Sequence, residues 1–368
     1  MAVSKVPRTD FAQHTENYVR LHRGASTLPY IANLDTSVEL LEHDTMALPC
    51  TVNQAEHGNA WVCSPLTTYG SYVIEEIQRY LPTPMAFPIA AVCHGYRQLL
   101  KFAEVDKAVA INNWMLSTNL FPEIDKAGLL TLISQARQRW PRHAIWFRSL
   151  NMRHNSEWIA ALREQGFQLL PSRQVYLFHD IARMRHANLK RDLDLLRRTS
   201  LVSMAPQDFK ERDFARVAEL YNFLYLDKYS RLNPQYTAAF MQRWHENGLL
   251  QFWGFRDDAG VLQAVIGIFF QESTITVPIV GYNTSLPQSL GLYRLLMARV
   301  FDVAMRDNLN VNLSAGAAQF KRLRGGQPEI EYSAVLANHL PAPHRIALAS
   351  LRALTTMLGV PLMRKFKL

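Results

Sequence analysis

The sequence predicts a mixed α/β protein made of two domains, each with a central mixed sheet flanked by helices. Its 368 residues are too many for one ordinary hydrophobic core. With 48% hydrophobic and 19% charged residues, the chain has a globular composition and no signature of disorder. Segments typical of strands and of amphipathic helices alternate along it. Because charge density rises abruptly near residues 179–188, we place the domains at residues 1–182 and 183–368.

The first domain begins with a mixed polar segment, residues 1–35, which is typical of an arm or of a poorly periodic lead-in to the domain. Apolar residues at helical spacing predict a helix over 124–140. A second clear helix, over 156–165, is bounded by the N-cap Asn155 and the C-cap Gly166. The other elements predicted here are β-type segments at 37–48 and 59–65, helices at 69–81 and 87–102, and strands at 108–116, 143–150 and 167–180.

Residues 250–336 are the most informative stretch of the second domain. Two long strands, 262–271 and 273–282, meet at a turn near Glu272, and a loop at 283–290 leads directly into an amphipathic helix. Backbone N–H groups at such a helix N-terminus can point at an anion. The other elements predicted in this domain are a basic segment at 189–198, helices at 208–226, 234–245, 291–307, 319–324 and 343–358, and strands at 201–205, 311–314 and 328–336.

The order strand, short helix, strand occurs twice, at 143–180 and again at 311–336. The two stretches share no sequence identity of note. Since architecture outlasts sequence similarity in internal repeats, we predict two topologically similar halves.

The charge balance favours an acidic partner. The chain carries 40 Lys and Arg against 31 Asp and Glu, a net charge of +9. CoA, a phosphopantetheinyl carrier protein, tRNA and an anionic membrane surface all fit such a charge, and a charge that serves only solubility is the alternative.

The cysteines and the N-terminus bear on the cellular compartment. Cys50, Cys63 and Cys93 form no pair and no metal-ligand spacing, which is typical of a reducing compartment, and buried thiols are favoured over a catalytic one. The N-terminus has no apolar core of signal-peptide length, and no uninterrupted apolar run reaches the ~18 residues of a membrane span. We therefore expect a cytoplasmic protein with no membrane span and no metal, whose oligomeric state stays open.

The element order over residues 189–336 is similar to that of the GNAT acyltransferase superfamily. Two helices lie between the first and second predicted strands, and a loop precedes the long helix. Within the superfamily the chain resembles the tandem-domain branch, which includes the Fem-type peptidyltransferases and a related domain of biosynthetic pathways. The resemblance implies tandem GNAT-like domains that transfer an acyl or aminoacyl group to an amine of a small metabolite or precursor. The donor would be acyl-CoA, an acyl-carrier protein or an aminoacyl-tRNA, a co-substrate that is not tightly bound.

The superfamily's pyrophosphate loop usually reads Gln/Arg-x-x-Gly-x-Gly/Ala ahead of the long helix. Gln288 and Gly291 match this pattern, whereas Tyr293 replaces the final small residue and would narrow the space. Ser289, Leu290 and Gly291 are expected to present N–H groups to donor phosphates, and the helix dipole adds ~0.3–1 kcal/mol. An N-cap without a ligand is the alternative.

The resemblance also implies that strand 273–282 splays from strand 311–314 and receives the pantetheine arm of the donor. Asn312 and Ser314 would then flank the opening. Tyr282 would donate a proton to the leaving group or orient the acceptor amine. A packed aromatic side chain at a strand end is the alternative for Tyr282.

Basic and aromatic residues are the candidates for contact with the acceptor. Lys321 follows a small-residue turn and would hold a phosphate or carboxylate, and we give it a catalytic role. Solvated basic surface is the alternative for both basic clusters of this domain. The residues predicted to bind the acceptor are Lys228, Tyr229, Arg231, Asn283, Tyr293 and Arg322.

A general base is harder to place. Glu329 and Glu331 share one face of the last strand, and we select Glu331 as the base on the condition that this face lines the cleft. The histidines are scattered without triad or metal spacing. Transfer by positioning and a proton relay through water is the alternative.

Two other functions stay open at this point. The chain could be a non-catalytic GNAT-like binding module whose loop no longer supports a donor. It could also bind tRNA or another nucleic acid through residues 189–198, although that segment lacks interleaved aromatic residues for stacking on bases.

Overall fold

The computed structural model describes residues 10–44 and 46–366. The helices are α1 (Phe11–His22), α2 (Val73–Tyr80), α3 (Thr83–Phe102), α4 (Lys126–Arg139), α5 (Ser156–Glu164), α6 (Ala187–Arg198), α7 (Glu211–Asn222), α8 (Ala238–Glu246), α9 (Leu292–Asp307), α10 (Ala318–Arg322), α11 (Ala342–Leu354) and α12 (Val360–Phe366). The strands are β1 (Ser37–His43), β2 (Met46–Gln54), β3 (Lys107–Ile111), β4 (Ala144–Asn151), β5 (Gln168–Phe178), β6 (Val202–Met204), β7 (Gln251–Arg256), β8 (Leu262–Gln271), β9 (Thr274–Tyr282), β10 (Asn310–Asn312) and β11 (Gln327–Leu336). Three segments of the described chain are π-helical: Thr67–Tyr72, Phe223–Tyr229 and Thr355–Gly359.

The strands of the described residues form one sheet in the order β1-β2-β3-β4-β11-β5-β10-β9-β8-β7-β6. In the first half, β1, β2 and β3 are antiparallel neighbours, and β3 runs parallel to β4. In the second half, β6 to β9 are antiparallel neighbours, and β9 runs parallel to β10. The predicted mixed α/β fold class is confirmed.

The two halves exchange their last strands. β5 follows β4 in sequence but pairs antiparallel with β10 of the second half, and β11 follows β10 but pairs with β4 of the first half. β5 and β11 then pair with each other in the middle of the sheet, from Gln327–Leu177 to Val335–Gln168. One topology is thus repeated in both halves, as the repeated strand–helix–strand order predicted. The division into domains at residue 182 stays a prediction.

The N-terminal segment is an integral part of the core, so the expectation of an arm was wrong for residues 10–35; residues 1–9 lie outside the described chain. α1 buries Tyr18 and His22 completely. The indole N–H of Trp244 donates to His22 Nε2 at 2.9 Å, and Tyr18 donates to the carbonyl of Asn113 at 3.1 Å. The buried side of α1 is formed largely by aromatic and histidine side chains. The periodicity of aliphatic residues, from which helices were predicted, does not detect such a side.

The predicted helix start near residue 234 was also wrong. α8 begins at Ala238, with Thr237 as its N-cap. Asn233 is held in a loop, where it accepts a hydrogen bond from the indole N–H of Trp61 at 2.9 Å. Trp61 itself lies in a turn, where β structure was predicted over 59–65. Tertiary hydrogen bonds override the local signal at both places.

The three cysteines are free thiols. Cys50 and Cys63 are buried and Cys93 is half-buried, as expected for structural thiols.

One helix among the described residues, Ala342–Phe366, is long and apolar enough for a membrane span. The mean hydropathy of its most apolar 18-residue stretch is 1.6, and 22% of that stretch is buried. It comprises α11, the π-helical turn Thr355–Gly359 and α12. Ala347, Leu348 and Leu351 are buried in the same cluster as Leu170 of β5. These contacts dock the helix on the sheet.

Candidate active site

A gap opens in the sheet between β9 and β10. The two strands pair only from Thr274–Asn310 to Thr276–Asn312, after which β9 continues and β10 ends. Ser314 has a left-handed backbone (φ 57°), and Gly316 and Ala317 follow it (φ 79° and 47°), so the chain turns away from β9. The diverging segments leave a cavity of 330 Å³, here called the central cavity.

Both halves of the chain line the central cavity. The first half contributes mainly polar and aromatic side chains, from Trp61, Tyr72, Glu76, Tyr80, Ser117 and Arg173. The second half contributes polar and aromatic side chains from Tyr221, Tyr225, Lys228, Tyr229, Asn233, Tyr236, Tyr282, Tyr293, Ser314 and Lys321. The exchange of β5 into the middle of the sheet brings Arg173 to this place. The site is therefore a joint product of the two halves.

Two π-helical segments contribute to the cavity wall, Thr67–Tyr72 from the first half and Phe223–Tyr229 from the second. Such segments are rare and frequently occur at functional sites. Arg79 connects the two halves beside them. Its Nη2 donates to the carbonyl of Tyr229, and its guanidinium lies 5.8 Å from the centroid of the Tyr229 ring.

The cavity is rich in tyrosines whose hydroxyl groups remain available. Tyr221 and Tyr236 donate to backbone carbonyls at 2.9 and 2.7 Å. Within the described chain, no hydrogen bond reaches the hydroxyl groups of Tyr72, Tyr225, Tyr229, Tyr282 and Tyr293. Burial raises the pKa of Tyr282, so this phenol is protonated at neutral pH and can donate a proton.

Glu76 brings a carboxyl group into the central cavity. No ion pair or hydrogen bond between described residues involves its side chain. Desolvation by burial raises the pKa of Glu76 to about 7, although Arg173 and Arg79 act in the opposite direction. A carboxyl group that titrates near neutral pH in a cavity is suited to general-base catalysis.

Glu331, the base selected from the sequence, is bound to Arg173. Arg173 Nε donates to Glu331 Oε1 at 2.7 Å and Nη2 donates to Oε2 at 3.2 Å. Glu331 is 2% exposed and does not line the cavity. Since both carboxylate oxygens bind the guanidinium, Glu331 positions Arg173. A catalytic role for Glu331 stays a prediction, which this pairing does not favour.

Lys321 lines the cavity and is buried. Its Nζ donates to the carbonyl oxygens of Leu313, Ser314 and Ala315 at 2.7, 3.2 and 2.8 Å. These acceptors match the three protons of an ammonium group, while burial lowers the pKa of Lys321 to about 7. The contacts hold the turn that shapes the cavity. The predicted catalytic role of Lys321 stays a prediction.

A second cavity of 530 Å³ lies beside the loop that precedes α9 and is here called the loop cavity. Gln288, Asn283 and Gly291, all predicted site residues, line it. The loop cavity shares Lys228, Tyr282 and Tyr293 with the central cavity. The two spaces therefore meet at these three side chains.

The N–H groups open to an anion near the start of α9 differ from those that the sequence predicted, which were those of Ser289, Leu290 and Gly291. The N–H groups of Leu290 and Gly291 donate to carbonyls of the loop itself, at 3.1 and 3.0 Å. Ser289 and Leu290 are exposed and line neither cavity. In the described chain, the N–H groups of Leu292 to Arg294 make no such bonds, as is usual in the first turn of a helix. An anion at this loop would meet the first turn of α9.

Two features favour glycine at position 291, namely a left-handed backbone conformation and close packing against α6. Its φ is +63°, and a Cβ atom there would lie 2.9 Å from Leu195 Cδ2 of α6. The glycine thus lets α6 pack closely against the start of α9.

The remaining predicted residues lie apart from the two cavities. Asn312 is buried, accepts a hydrogen bond from the Ser314 N–H at 2.9 Å and lines a separate polar cavity. Arg322 is exposed. Arg231 is also exposed and pairs with Asp227 at 3.3 Å. Their predicted roles are not supported by their position.

The sequence analysis missed the residues that the first half contributes, chiefly Trp61, Glu76 and Arg173. A charged residue inside a strand that is otherwise buried signals a partner or a site, and Arg173 on β5 has that signal. Glu76 has none, because it lies in a short amphipathic helix among other charged residues.

Comparisons with known proteins support the fold. No family model and no curated protein matches the sequence. The structure of L-PGS from Bacillus licheniformis superimposes with a TM-score of 0.52, over 96% of this chain and 99% of that one, at 11% identity. FemX superimposes with a TM-score of 0.50, over 91% of this chain and 97% of its own, at 7% identity. The chain therefore shares its fold with L-PGS and FemX, in agreement with the resemblance to Fem-type proteins that its element order suggested.

Proposed function

We propose that the protein is a cytoplasmic N-acyltransferase that moves an acyl or aminoacyl group to the amine of a small metabolite or biosynthetic precursor. The observation that carries this proposal is the meeting of two cavities at Lys228, Tyr282 and Tyr293. One cavity holds a carboxyl group with a raised pKa, and the other lies at a helix N-terminus. A donor and an acceptor need such adjoining spaces.

The residues of the site suit an acyl transfer with balanced proton movements. The acceptor nitrogen attacks the donor carbonyl carbon, and a C–N bond forms as the bond from that carbon to the thiol sulfur or ribose oxygen breaks. Glu76 accepts the proton of the amine, and the phenol of Tyr282 gives a proton to the departing sulfur or oxygen. Proton exchange with solvent then restores both groups.

We place the donor in the loop cavity. Lys228 and Arg294 line it; Arg294 binds Asp192 through Nε, while its Nη atoms have no hydrogen bond among the described residues. The first turn of α9 also offers unbonded N–H groups. An anionic donor fits these groups and the net charge of +9. Acyl-CoA, an acyl-carrier protein and an aminoacyl-tRNA share the required charge, so the donor class is a matter for experiment.

We place the acceptor in the central cavity. Its volume of 330 Å³ suits a small molecule or the end of a larger one. The Nε and Nη2 atoms of Arg173 donate to Glu331, to the carbonyl oxygen of Ser117 and to Thr118 Oγ1. Its Nη1 atom has no hydrogen bond among the described residues. An acceptor that carries a carboxylate or phosphate beside its amine would fit this guanidinium.

A donor screen tests the proposal. Thermal unfolding is followed with CoA, acyl-CoA, a phosphopantetheinylated carrier protein and aminoacyl-tRNA, and any donor that binds is then incubated with a panel of amines under mass-spectrometric detection. A donor at ~100 times its dissociation constant should stabilise the fold by about 2.7 kcal/mol. Stabilisation together with a new amide product supports the proposal. Stabilisation without transfer to any amine, or no response to any donor, would favour the non-catalytic binding module.

A further inference from the structure

One face of the molecule is formed by α3 and the C-terminal helix Ala342–Phe366, here called the helical face. The two helices lie side by side. The hydroxyl of Tyr96 on α3 lies 2.7 Å from the carbonyl oxygen of Ala347 and 2.6 Å from Ser350 Oγ. Their outer sides are open to solvent in the described structure.

The helical face concentrates exposed apolar side chains. Of the 16 large hydrophobic residues that are exposed in the described chain, eight lie on these two helices. Phe87, Phe102 and Met357 are 80%, 77% and 72% exposed. A monomeric globular protein rarely exposes such a concentration unless the surface has a partner.

The charges of the helical face all have one sign. Residues 83–102 and 342–366 contain no Asp or Glu, although these two types make up 31 of the 368 residues of the chain. The same segments carry six basic residues: Arg97, Lys101, Arg345, Arg352, Arg364 and Lys365. Exposed apolar side chains among cations, without carboxylates, are the surface chemistry of proteins that lie on anionic membranes.

We propose that the helical face docks the protein on the surface of a bilayer that contains anionic lipid. The helix Ala342–Phe366 lies on the bilayer and does not cross it, because crossing would remove Ala347, Leu348 and Leu351 from the core of the sheet. Its π-helical turn and Pro361 also interrupt a straight span. The exposed side chains enter the lipid interface and the basic side chains meet the headgroups.

A second copy of the chain fits the helical face less well than a membrane does. In a two-fold interface the same patch lies on both subunits. The five exposed basic residues, which are all of the six except the half-buried Arg97, would then oppose five others, with no carboxylate of these two helices to pair with them.

Docking would place the central cavity near the membrane surface. α2 packs against α3 through Ile77 and Leu81, and it carries both Glu76 and the partly exposed Tyr80 of the cavity wall. The docking itself does not depend on the proposed transfer reaction.

Sedimentation with lipid vesicles tests the proposal on the full chain. Vesicles of phosphatidylcholine alone are compared with vesicles that also contain phosphatidylglycerol, at low and high salt. Binding should require the anionic lipid and weaken with salt. The triple variant R352E/R364E/K365E and the triple variant F87S/F102S/M357S should each reduce binding at least ~10-fold.

Matched controls carry the same chemistry elsewhere. Leu130, Val202 and Val261 are also exposed apolar residues, and Lys190, Arg191 and Arg212 are exposed cations. The control variants L130S/V202S/V261S and K190E/R191E/R212E should leave vesicle binding within about twofold. Thermal unfolding confirms that each variant folds, and the single variant F87S serves if a triple variant does not. Equal binding to neutral and anionic vesicles, no binding to either, or equal losses in the controls would overturn the proposal. A dimer in solution that F87S dissociates would also overturn it, since the helical face would then be an interface between copies.

Discussion

At the scale of single residues, the structure separates charges that the protein uses internally from those open to a ligand. Asp192 is fully buried between Arg294 and Arg324, with N–O distances of 2.7 and 2.5 Å. Lys321 is similarly engaged by backbone carbonyls. Glu76 has no such partner among the described residues, and its pKa is raised by burial. It is therefore the carboxyl group best placed to take part in chemistry.

The variant Glu76→Gln tests this assignment. If Glu76 is the general base, the rate of transfer should rise as pH increases through about 7, because only the ionised carboxylate accepts a proton. Removal of the base should reduce kcat about 100-fold or more and abolish that rise. The measurement is a pH profile of kcat for both proteins with the donor identified by the screen. An unchanged profile in the variant would assign the proton transfer to water or to another group.

The ion pair between Glu331 and Arg173 makes a prediction about stability. Glu331→Ala would leave the half-buried guanidinium of Arg173 without its carboxylate, which should cost up to about 3–5 kcal/mol of unfolding free energy. Urea denaturation measures the loss. Glu329→Ala, on the same strand but half-exposed and unpaired in the described chain, is the control and should change the free energy by less than about 0.5 kcal/mol. Equal effects of both changes would show that the pair contributes nothing specific.

At the scale of secondary-structure elements, Gly291 determines how α6 packs on α9. Gly291→Ala should cost about 1–3 kcal/mol of unfolding free energy, since the new Cβ combines a left-handed backbone with a close contact to Leu195. In a Leu195→Ala background that contact is absent, so the additional cost of Gly291→Ala should be smaller by ~0.5 kcal/mol or more. Four urea titrations complete the cycle. Full additivity would mean that the backbone conformation alone requires the glycine.

Caps and turn residues in the sequence predicted an element well where no tertiary contact competes with them. The helix predicted at 156–165 begins after its predicted N-cap Asn155 and ends at Glu164, with Gln165 as C-cap one residue before the predicted Gly166. The hairpin turns at Glu272 as predicted, with a φ of 50°. The start of α8 was misplaced because Asn233 serves a tertiary hydrogen bond. The first four residues of the π-helical segment Phe223–Tyr229 were predicted as the end of a regular helix, since the wider turn of a π-helix leaves little trace in a pattern of apolar spacing.

At the scale of the whole molecule, the strand exchange makes the two halves depend on each other. A fragment of residues 1–182 would contain β5 without either neighbour from the second half, and residues 183–368 would lack the strand that pairs with β10. We expect each fragment alone to aggregate or stay unfolded, and the two expressed together to form one complex. Gel filtration and circular dichroism of single and co-expressed fragments check this. A single fragment that unfolds cooperatively as a monomer would contradict it.

The same exchange explains which part of the site could not be predicted. Loop and strand-end residues such as Tyr282 and Gln288 come from one continuous stretch whose order resembles GNAT proteins, so their neighbourhood was predictable. Arg173 reaches the cavity because β5 of one half is inserted beside strands of the other, and Trp61 reaches it from a turn that hydrogen-bonds to Asn233 of the second half. No local pattern encodes that pairing.

The strand order also sets the sequence of events during synthesis of the protein. β11 is the last strand to be synthesised, and it lies in the sheet between β4 and β5, which are synthesised long before it. Until residues 327–336 leave the ribosome, β4 and β5 keep facing edges without a partner, and the sheet consists of two open parts. Such edges are templates for wrong pairing. The nascent chain is therefore most exposed to aggregation just before its final strand emerges. A premature stop before residue 327 would remove β11 together with α11 and α12 and would leave the middle of the sheet open.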